Sequence, residues 1–159
     1  MATKNSDRPS WDKYFLSVCE VIASRSHDEN TKVGCVITDE RNRIVSTGYN
    51  GFPAGVDDKS LPSNRVDYFE IKTADGLEKV DKYDVITHAE ANAIASSRNS
   101  LVGCTIYLNL FPCSECAKLI ITAGIKKIVY KDKRDDKLQN LSHLLLSQAK
   151  VEMIKYEGL

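Results

Sequence analysis

Two short motifs in this chain carry residues that could bind a metal ion and move protons. The first reads His88-Ala89-Glu90, and the second, a little over twenty residues later, reads Pro112-Cys113-Ser114-Glu115-Cys116. Imidazole and thiolate ligands suit zinc, and three protein ligands leave the fourth tetrahedral position open for water, which is typical of a catalytic site. We therefore predict zinc ligation by His88, Cys113 and Cys116, with Glu90 beside the water as the proton shuttle.

Both motifs are expected at the starts of helices. Cys113 and Cys116 are three residues apart, which places both sulfurs on one helix face, and Pro112 suits the first turn. The partial positive charge of a helix N-terminus favours thiolates. Other interpretations stay open, because a C-x-x-C pair alone could be a structural zinc clip or a redox pair. His27 could border the site or simply belong to its loop.

The spacing of apolar residues predicts an α/β chain in which helices and strands alternate late in the sequence. We expect a first helix from Ser10 with one apolar stripe, and a last helix whose inward leucines are Leu141, Leu144 and Leu145. The other predicted elements are strands at Val33–Thr38, Ile44–Tyr49, Thr105–Leu110, Ile125–Tyr130 and Val151–Lys155, and helices at His88–Ser97, Cys113–Thr122 and Leu138–Ala149.

The segment from Phe52 to Asp84 has no clear periodicity and contains Pro53, Gly55, Pro62 and Gly76. We predict a single domain over residues 1–159 with a long insertion at about 52–86, and a short helix near residues 64–70. Long loops inside compact domains are often functional.

Composition restricts the class of protein. Lys+Arg and Asp+Glu are both 22, so the chain lacks the basic excess that is usual for binding a nucleic-acid polymer. No apolar run is long enough to span a membrane, and residues 1–8 lack the apolar stretch of a signal peptide. The five cysteines are an odd number in a chain that is not small, which argues against a disulfide framework. These features predict a cytoplasmic protein without membrane contact.

Five segments resemble the cytidine deaminase superfamily, and within it the dCMP deaminase branch, over about residues 8–156. The superfamily motifs are H-A-E-A-N-A-I at His88–Ile94 and F-P-C-S-E-C-A-K at Phe111–Lys118. The branch is indicated by R-P-S-W-D-x-Y-F at Arg8–Phe15, R-S-H-D-E-N-T-K-V-G at Arg25–Gly34 and G-Y-N-G at Gly48–Gly51.

The resemblance implies a three-layer αβα cytidine deaminase-like fold with a mixed five-stranded sheet. It implies hydrolytic deamination of dCMP to dUMP and ammonia, which supplies thymidylate synthesis. It also implies a homo-oligomer, commonly a hexamer, that dCTP activates and dTTP inhibits, with Mg²⁺ on the triphosphate effector.

The same resemblance transfers roles to individual residues. His88, Cys113 and Cys116 are implied as zinc ligands, Glu90 as the proton shuttle and Asn50 as a contact of the sugar hydroxyl, although Asn-Gly is also a common turn pair. The other expected substrate contacts are Ser26, Asn30, Lys32, Tyr130 and Arg134, with Arg25, Thr31 and Lys131 as further phosphate candidates. The effector site is expected at Gly51, Phe52, Pro53, Gly55, Asn64 and Arg65.

Zinc is expected as one ion per subunit, because residues 51–87 contain no cysteine or histidine for a second, structural ion. Two alternatives to a dCMP deaminase remain. One is a deaminase that acts on free cytidine or on a base in RNA. The other is a non-catalytic, zinc-stabilised module, in which Glu90 would have no catalytic use.

Overall fold

A mixed five-stranded sheet forms the centre of the molecule, in a computed structural model that describes residues 7–57, 59–62 and 64–158. The strand order is β2-β1-β5-β6-β7. β1 pairs antiparallel with β2 and β5, whereas β5, β6 and β7 run parallel to one another. The strands are β1 (Gly34–Thr38), β2 (Ile44–Tyr49), β3 (Phe69–Thr73), β4 (Gly76–Val80), β5 (Thr105–Leu110), β6 (Lys127–Asp132) and β7 (Glu152–Lys155).

Helices cover both faces of this sheet, which confirms the predicted three-layer α/β architecture. One face carries α1, and the other carries α3 and α4, with α5 packed against α4. The helices are α1 (Trp11–Ala23), α2 (Lys82–Val85), α3 (Ala89–Ser96), α4 (Ser114–Thr122) and α5 (Lys137–Gln148). In the described ranges, none of these helices combines the length and the apolar character needed to cross a bilayer. Residues 1–6, part of the segment predicted to lack a signal peptide, lie outside the described ranges.

The central strands are buried on both faces, and alternate side chains feed two separate cores. On β1, Val36 packs with Phe15 and Leu16 of α1, whereas Cys35 and Ile37 join the core beneath α3 and α4. This alternation follows from the two-residue period of a strand. Cys19 and Cys35 are fully buried in these cores, as expected of free cysteines that act as small apolar residues.

Gly34 and Gly48 allow two helices to lie directly on the sheet. A Cβ atom at Gly48 would stand 2.2 Å from the carbonyl oxygen of Ala89, and one at Gly34 would stand 1.9 Å from that of Cys19. A side chain at either position would push its helix away from the strand. Gly48 therefore sets the distance between β2 and the start of α3.

The insertion contains a β-hairpin and a short helix. The prediction of a helix near residues 64–70 is wrong, because residues 64–66 form bends, residues 67 and 68 have no regular structure and β3 begins at Phe69. Ala74 and Asp75 form the turn between the paired residues Thr73 and Gly76, and Gly76 has a φ of 126°, which favours glycine. Helix α2 follows the hairpin, and its capping box is formed by Asp81 and Asp84.

Helix α5 turns a different face inward from the one expected. Gln139, Ser142 and Leu146 are buried, whereas Leu141 and Leu144 are exposed and Leu145 is only partly buried. The prediction of these three leucines as the inward face is therefore wrong. The inward position of Gln139 is fixed by hydrogen bonds, because its amide donates to the carbonyl oxygen of Phe111 at 2.7 Å.

Candidate active site

The side chains of His88, Cys113 and Cys116 converge on one point. Nδ1 of His88 lies 3.5 Å from Sγ of Cys113 and 3.4 Å from Sγ of Cys116, and the three potential ligand atoms lie within 4.8 Å of one another. Nitrogen and sulfur ligands of a tetrahedral zinc ion are expected about 3.5 Å apart, given bonds of about 2.0 and 2.3 Å. The donor set and its spacing therefore fit zinc.

Two helix starts create this convergence, as predicted from the sequence. His88 is the N-cap residue of α3 and Cys113 is that of α4, and neither side chain caps its own helix by a hydrogen bond. Both side chains are therefore available to the ion. Cys116 lies in the first turn of α4, and the two helices pack against each other.

The three groups strongly affect one another's protonation. The hydrogen bond between the two sulfurs lowers the pKa of Cys113 to about 4 and raises the pKa of Cys116. The hydrogen bond between Cys113 and His88 raises the pKa of the histidine. The Cys113 sulfur is thus held as a thiolate, which is the form that binds a metal ion.

Glu90 lies in the first turn of α3 and is 4% exposed. Burial raises the pKa of its carboxyl group above the ordinary value, because the charged form loses its hydration. It lines the same pocket as His88 and Cys113. A buried carboxyl group beside a metal site is suited to accept and return protons.

A pocket lies in front of these groups, and its volume of about 830 Å³ includes space that is open to solvent. Its apolar wall includes Val33, Ile86, Leu110 and Phe111. Polar side chains from separate parts of the chain also line the pocket: Asp28, Thr31, Asn50, Lys82, Arg134, Asp136 and Gln139. A cleft that combines an apolar wall with convergent polar groups is typical of a small-molecule site.

Asn50 lines the pocket and also holds the loop that precedes β1. Its Oδ1 accepts a hydrogen bond from the backbone N–H of Val33 at 2.8 Å, and its Nδ2 donates to the carbonyl oxygen of Thr31 at 2.9 Å. A side-chain amide has two N–H donors, so one remains for a ligand. The turn interpretation and the ligand interpretation of Asn50 are therefore compatible.

Arg134 is the one predicted substrate contact after β6 that lines the pocket. Its Nη2 donates to Oγ1 of Thr31 at 3.2 Å, which joins the loop after β6 to the loop before β1. Its backbone N–H donates to Oε1 of Gln139. Gln139 in turn binds the carbonyl oxygen of Phe111, two residues before Cys113.

Four other predicted substrate contacts do not line this pocket in the described part of the chain: Ser26, Asn30, Lys32 and Tyr130. Ser26 is buried and donates to the carbonyl oxygen of Asn50 at 2.8 Å, and Tyr130 packs edge-on against Phe111. Asn30 and Lys32 are exposed. Ser26 therefore supports Asn50, and Tyr130 supports the pocket wall. Of the further phosphate candidates, Thr31 lines the pocket, whereas Lys131 pairs with Glu20.

The predicted effector residues lie in and near the loop after β2. Gly51 exchanges backbone hydrogen bonds of 3.0 and 2.9 Å with Thr87, the residue before His88. Phe52 is partly buried, whereas Pro53 and Gly55 are exposed. Asn64 accepts two backbone hydrogen bonds in a turn, and Arg65 is exposed. Gly51 thus links this loop to the metal-binding motif.

Sequence reasoning missed Asp28, Lys82 and Gln139. Asp28 accepts hydrogen bonds from the backbone N–H groups of Asn30 and Thr31, an Asx turn that the D-E-N-T sequence could have indicated. Lys82 and Gln139 gave no sequence signal. One lies in the aperiodic insertion, and the other occupies the face of α5 that the leucine pattern predicted to be exposed.

Comparison with known proteins identifies related sequences and structures. The family model of the cytidine and deoxycytidylate deaminase zinc-binding region matches residues 9–132. The chain is 40% identical to human deoxycytidylate deaminase over 156 residues, which cover 96% of this chain and 83% of the human protein. It is 40% identical to deoxycytidylate deaminase of Mycobacterium phage D29 over 124 residues, which cover 77% of this chain and 95% of the phage protein.

A solved structure is similar over nearly the whole molecule. The dCMP deaminase of the cyanophage S-TIM5, solved in complex with dCMP and dUMP, superimposes with a TM-score of 0.72 at 25% sequence identity. The match covers 94% of this chain and 98% of the cyanophage chain.

Proposed function

Because this chain belongs to the cytidine and deoxycytidylate deaminase family and is a deaminase, we propose that it hydrolyses dCMP to dUMP and ammonia with one zinc ion per subunit. The observation that carries this proposal is the meeting of the His88, Cys113 and Cys116 ligand atoms in a pocket that the buried Glu90 also lines. The relatives named deoxycytidylate deaminase and the cyanophage complex with dCMP and dUMP support the substrate.

His88, Cys113 and Cys116 would hold the zinc ion, since their spacing fits its bond lengths. When bound, zinc supplies a Lewis acid that lowers the pKa of water toward about 7. The positions of the two cysteines at the start of α4 keep their thiolates beside the positive end of the helix. No cysteine or histidine is available in residues 51–87 for a second ion.

Glu90 would transfer the protons of the reaction. Its carboxylate takes a proton from the attacking water and passes it to N3 of the cytosine ring. Glu90 then takes the proton of the hydroxyl group on C4 and gives it to the exocyclic amine. The bond between C4 and this nitrogen breaks, ammonia leaves, C4 keeps the oxygen as a carbonyl and N3 keeps its proton. Burial raises the pKa of Glu90, and a raised pKa makes its carboxylate a better proton acceptor.

The pocket walls would orient the nucleotide. The apolar side chains of Val33, Ile86 and Leu110 exclude water from the base. Asn50 retains one N–H for the sugar hydroxyl while its other hydrogen bonds hold the loop before β1. Arg134 and the Thr31 hydroxyl form the best-placed pair for the 5′-phosphate, because both line the pocket and already contact each other.

The substrate is tested by comparing kcat/KM of the zinc-loaded enzyme for dCMP, deoxycytidine, CMP and a tRNA hairpin. We expect dCMP to be preferred over deoxycytidine, because the nucleoside has no 5′-phosphate to engage Arg134. Equal or faster turnover of deoxycytidine would overturn the assignment and favour the nucleoside deaminase. Turnover of the hairpin would favour the RNA deaminase, and no turnover of any substrate would favour the zinc-stabilised module.

We also propose that dCTP activates and dTTP inhibits the enzyme, each with Mg²⁺, and that the dUMP product supplies thymidylate synthesis. The predicted effector residues are Gly51, Phe52, Pro53, Gly55, Asn64 and Arg65. The backbone bridge between Gly51 and Thr87 supports this proposal, because it connects the effector loop to the residue before His88. Rates measured against dCMP concentration, with and without each effector and Mg²⁺, test it. Curves that neither effector shifts would refute it.

The insertion at about 52–86 is proposed to be part of one domain rather than a separate unit. Its end contributes Lys82, Tyr83 and Ile86 to the pocket. Limited proteolysis of the zinc-loaded protein tests this, because cleavage confined to the insertion should reduce dCMP turnover. Full activity after complete removal of the insertion would contradict it.

A further inference from the structure

A buried ion pair lies in the pocket wall between Lys82 of the insertion and Asp28 of the loop before β1. Nζ of Lys82 lies 2.7 Å from Oδ2 of Asp28, and the two side chains are 3% and 6% exposed. Removing two charges from water is costly, so a buried pair needs excellent geometry and further hydrogen bonds. Neither residue takes part in the chemistry derived above.

Asp28 uses both carboxylate oxygens. Oδ2 binds Lys82, and Oδ1 accepts the backbone N–H groups of Asn30 at 2.8 Å and Thr31 at 2.9 Å. Burial acts to raise the pKa of Asp28, but hydrogen bonds from Lys82, Thr31 and Asn30 outweigh it and lower the pKa below 3.8. Asp28 is therefore ionised at neutral pH and fixes the backbone of Thr31.

Thr31 links this pair to Arg134, whose Nη2 donates to its hydroxyl at 3.2 Å. The salt bridges found among the described residues include Lys82 with Asp28 but none with Arg134. The charge of Lys82 is therefore compensated within the protein, whereas that of Arg134 remains available to an anion. The chain of contacts runs from Lys82 through Asp28 and Thr31 to this cation.

We propose that Lys82 and Asp28 are positioning residues that hold Thr31 and Arg134 in the arrangement that receives the 5′-phosphate of the substrate. This inference rests on the proposed function, because it takes a nucleotide monophosphate as the ligand. Because Lys82 belongs to the insertion, this part of the pocket wall forms only when the insertion is folded against the loop before β1. If the pair served only to anchor the insertion, its loss would reduce stability without involving Arg134.

A double-mutant cycle tests the proposal by comparing Lys82→Met, Arg134→Met and the double variant. We expect Arg134→Met and Lys82→Met each to raise KM for dCMP about tenfold or more, the size of a lost charge-assisted hydrogen bond. The KM increase of the double variant should be clearly smaller than the product of the two single increases, because Lys82 acts largely through Arg134. We expect kcat to change less than about threefold, since neither residue contacts the reacting atoms.

Two further variants separate positioning from general damage. Lys72→Met makes the same substitution at an exposed site in the same insertion, and should leave KM unchanged. Lys82→Arg keeps the charge facing Asp28 and should recover most of the affinity for dCMP. If Lys82→Met fails to fold because Asp28 is left unpaired, Lys82→Gln replaces it in the double-mutant cycle. Zinc content and thermal midpoint are measured for every variant.

The outcomes distinguish this inference from the proposed function. A wild-type enzyme that does not turn over dCMP would refute the function itself. If the wild type is active, the positioning role would be overturned by a double variant whose increase in KM equals the product of the increases in the two single variants. So would a Lys82→Met variant that loses thermal stability but keeps its KM.

Discussion

The carboxyl group of Glu90 is enclosed by protein, whereas an exposed acid is hydrated. Glu90 lies in the first turn of the helix that His88 begins, and burial raises its pKa. Asn50 is likewise distinguished by what it contacts, because its amide holds two backbone groups of the loop before β1. At the scale of residues, the site depends on side chains that bind ligand and protein at the same time.

Asn50→Ala is expected to affect both binding and stability. Losing the two hydrogen bonds by which the buried Asn50 side chain holds this loop should reduce the free energy of unfolding by about 1–3 kcal/mol. The loss of the N–H donor to the sugar, together with displacement of Thr31, should raise KM for dCMP about tenfold or more. Urea denaturation and steady-state kinetics measure the two effects.

Asn109 offers a matched control for this substitution. Its amide also bridges two backbone groups, the N–H of Gly34 and the carbonyl oxygen of Lys32, but it does not line the pocket. Asn109→Ala should therefore cost similar stability with a much smaller change in KM. Equal effects of both variants on KM would contradict the sugar contact.

At the residue scale, the clustering of His88, Cys113 and Cys116 could be predicted from residue types and spacing, whereas the proton role of Glu90 stays a prediction. The family model and the ligand cluster support zinc binding, and the substrate roles stay predictions. Lys82 and Asp28 could not be predicted as a pair. They are 54 positions apart in the sequence and meet only because the insertion folds back over the pocket.

At the scale of elements, the periodic spacing of apolar residues predicted helices and strands, whereas segments without such spacing did not reveal their structure. Strand β5 and the starts of α1, α3 and α4 agree with the sequence prediction, and the cytidine deaminase-like fold is confirmed by the structural match. The β3–β4 hairpin was missed, although Asp75 and Gly76 are residues that favour turns. The prediction of the buried face of α5 was wrong. The spacing of leucines shows where apolar residues lie on a helix, but not which face a neighbouring element covers.

Gly48→Ala should disturb the element that carries His88 and Glu90. A new Cβ atom would lie 2.2 Å from the carbonyl oxygen of Ala89, so α3 must move away from β2. We expect destabilisation of about 1–3 kcal/mol or more from overpacking, and a reduced kcat. Urea denaturation and dCMP turnover measure these effects.

Ser46 lies on the same face of β2 and provides the comparison. Its hydroxyl donates to the carbonyl oxygen of Ala93 at 2.6 Å, so Ser46→Ala removes one hydrogen bond without adding volume. A loss of about 1 kcal/mol with nearly normal kcat is expected. If Gly48→Ala behaved like Ser46→Ala, the spacing argument for α3 would be wrong.

At the scale of the whole molecule, we predict a homo-oligomer of identical subunits, with six as the expected number. Leu138, Leu141 and Leu144 are 54%, 40% and 52% exposed along α5, and large apolar patches are rare on monomers. Light scattering after size-exclusion chromatography should give a mass several times that of the chain. Leu141→Lys should reduce this mass.

Val66 supplies the control for this substitution, because it is 79% exposed but belongs to the insertion rather than to α5. Val66→Lys should keep the wild-type mass. A monomeric wild-type protein would contradict the predicted assembly, and an unchanged mass for Leu141→Lys would exclude the α5 face as the interface.

Glu90 is proposed to transfer protons at a zinc site without binding the metal, and Glu90→Gln separates these two properties. Product formation from dCMP and zinc per chain are measured together for the wild type and the variant. The wild type should form dUMP and ammonia in equal amounts. The variant should keep one zinc ion per chain, because Glu90 is not a ligand, and should lose turnover by about 10²–10⁴-fold. A variant that stays active, or that loses its zinc, would contradict the account.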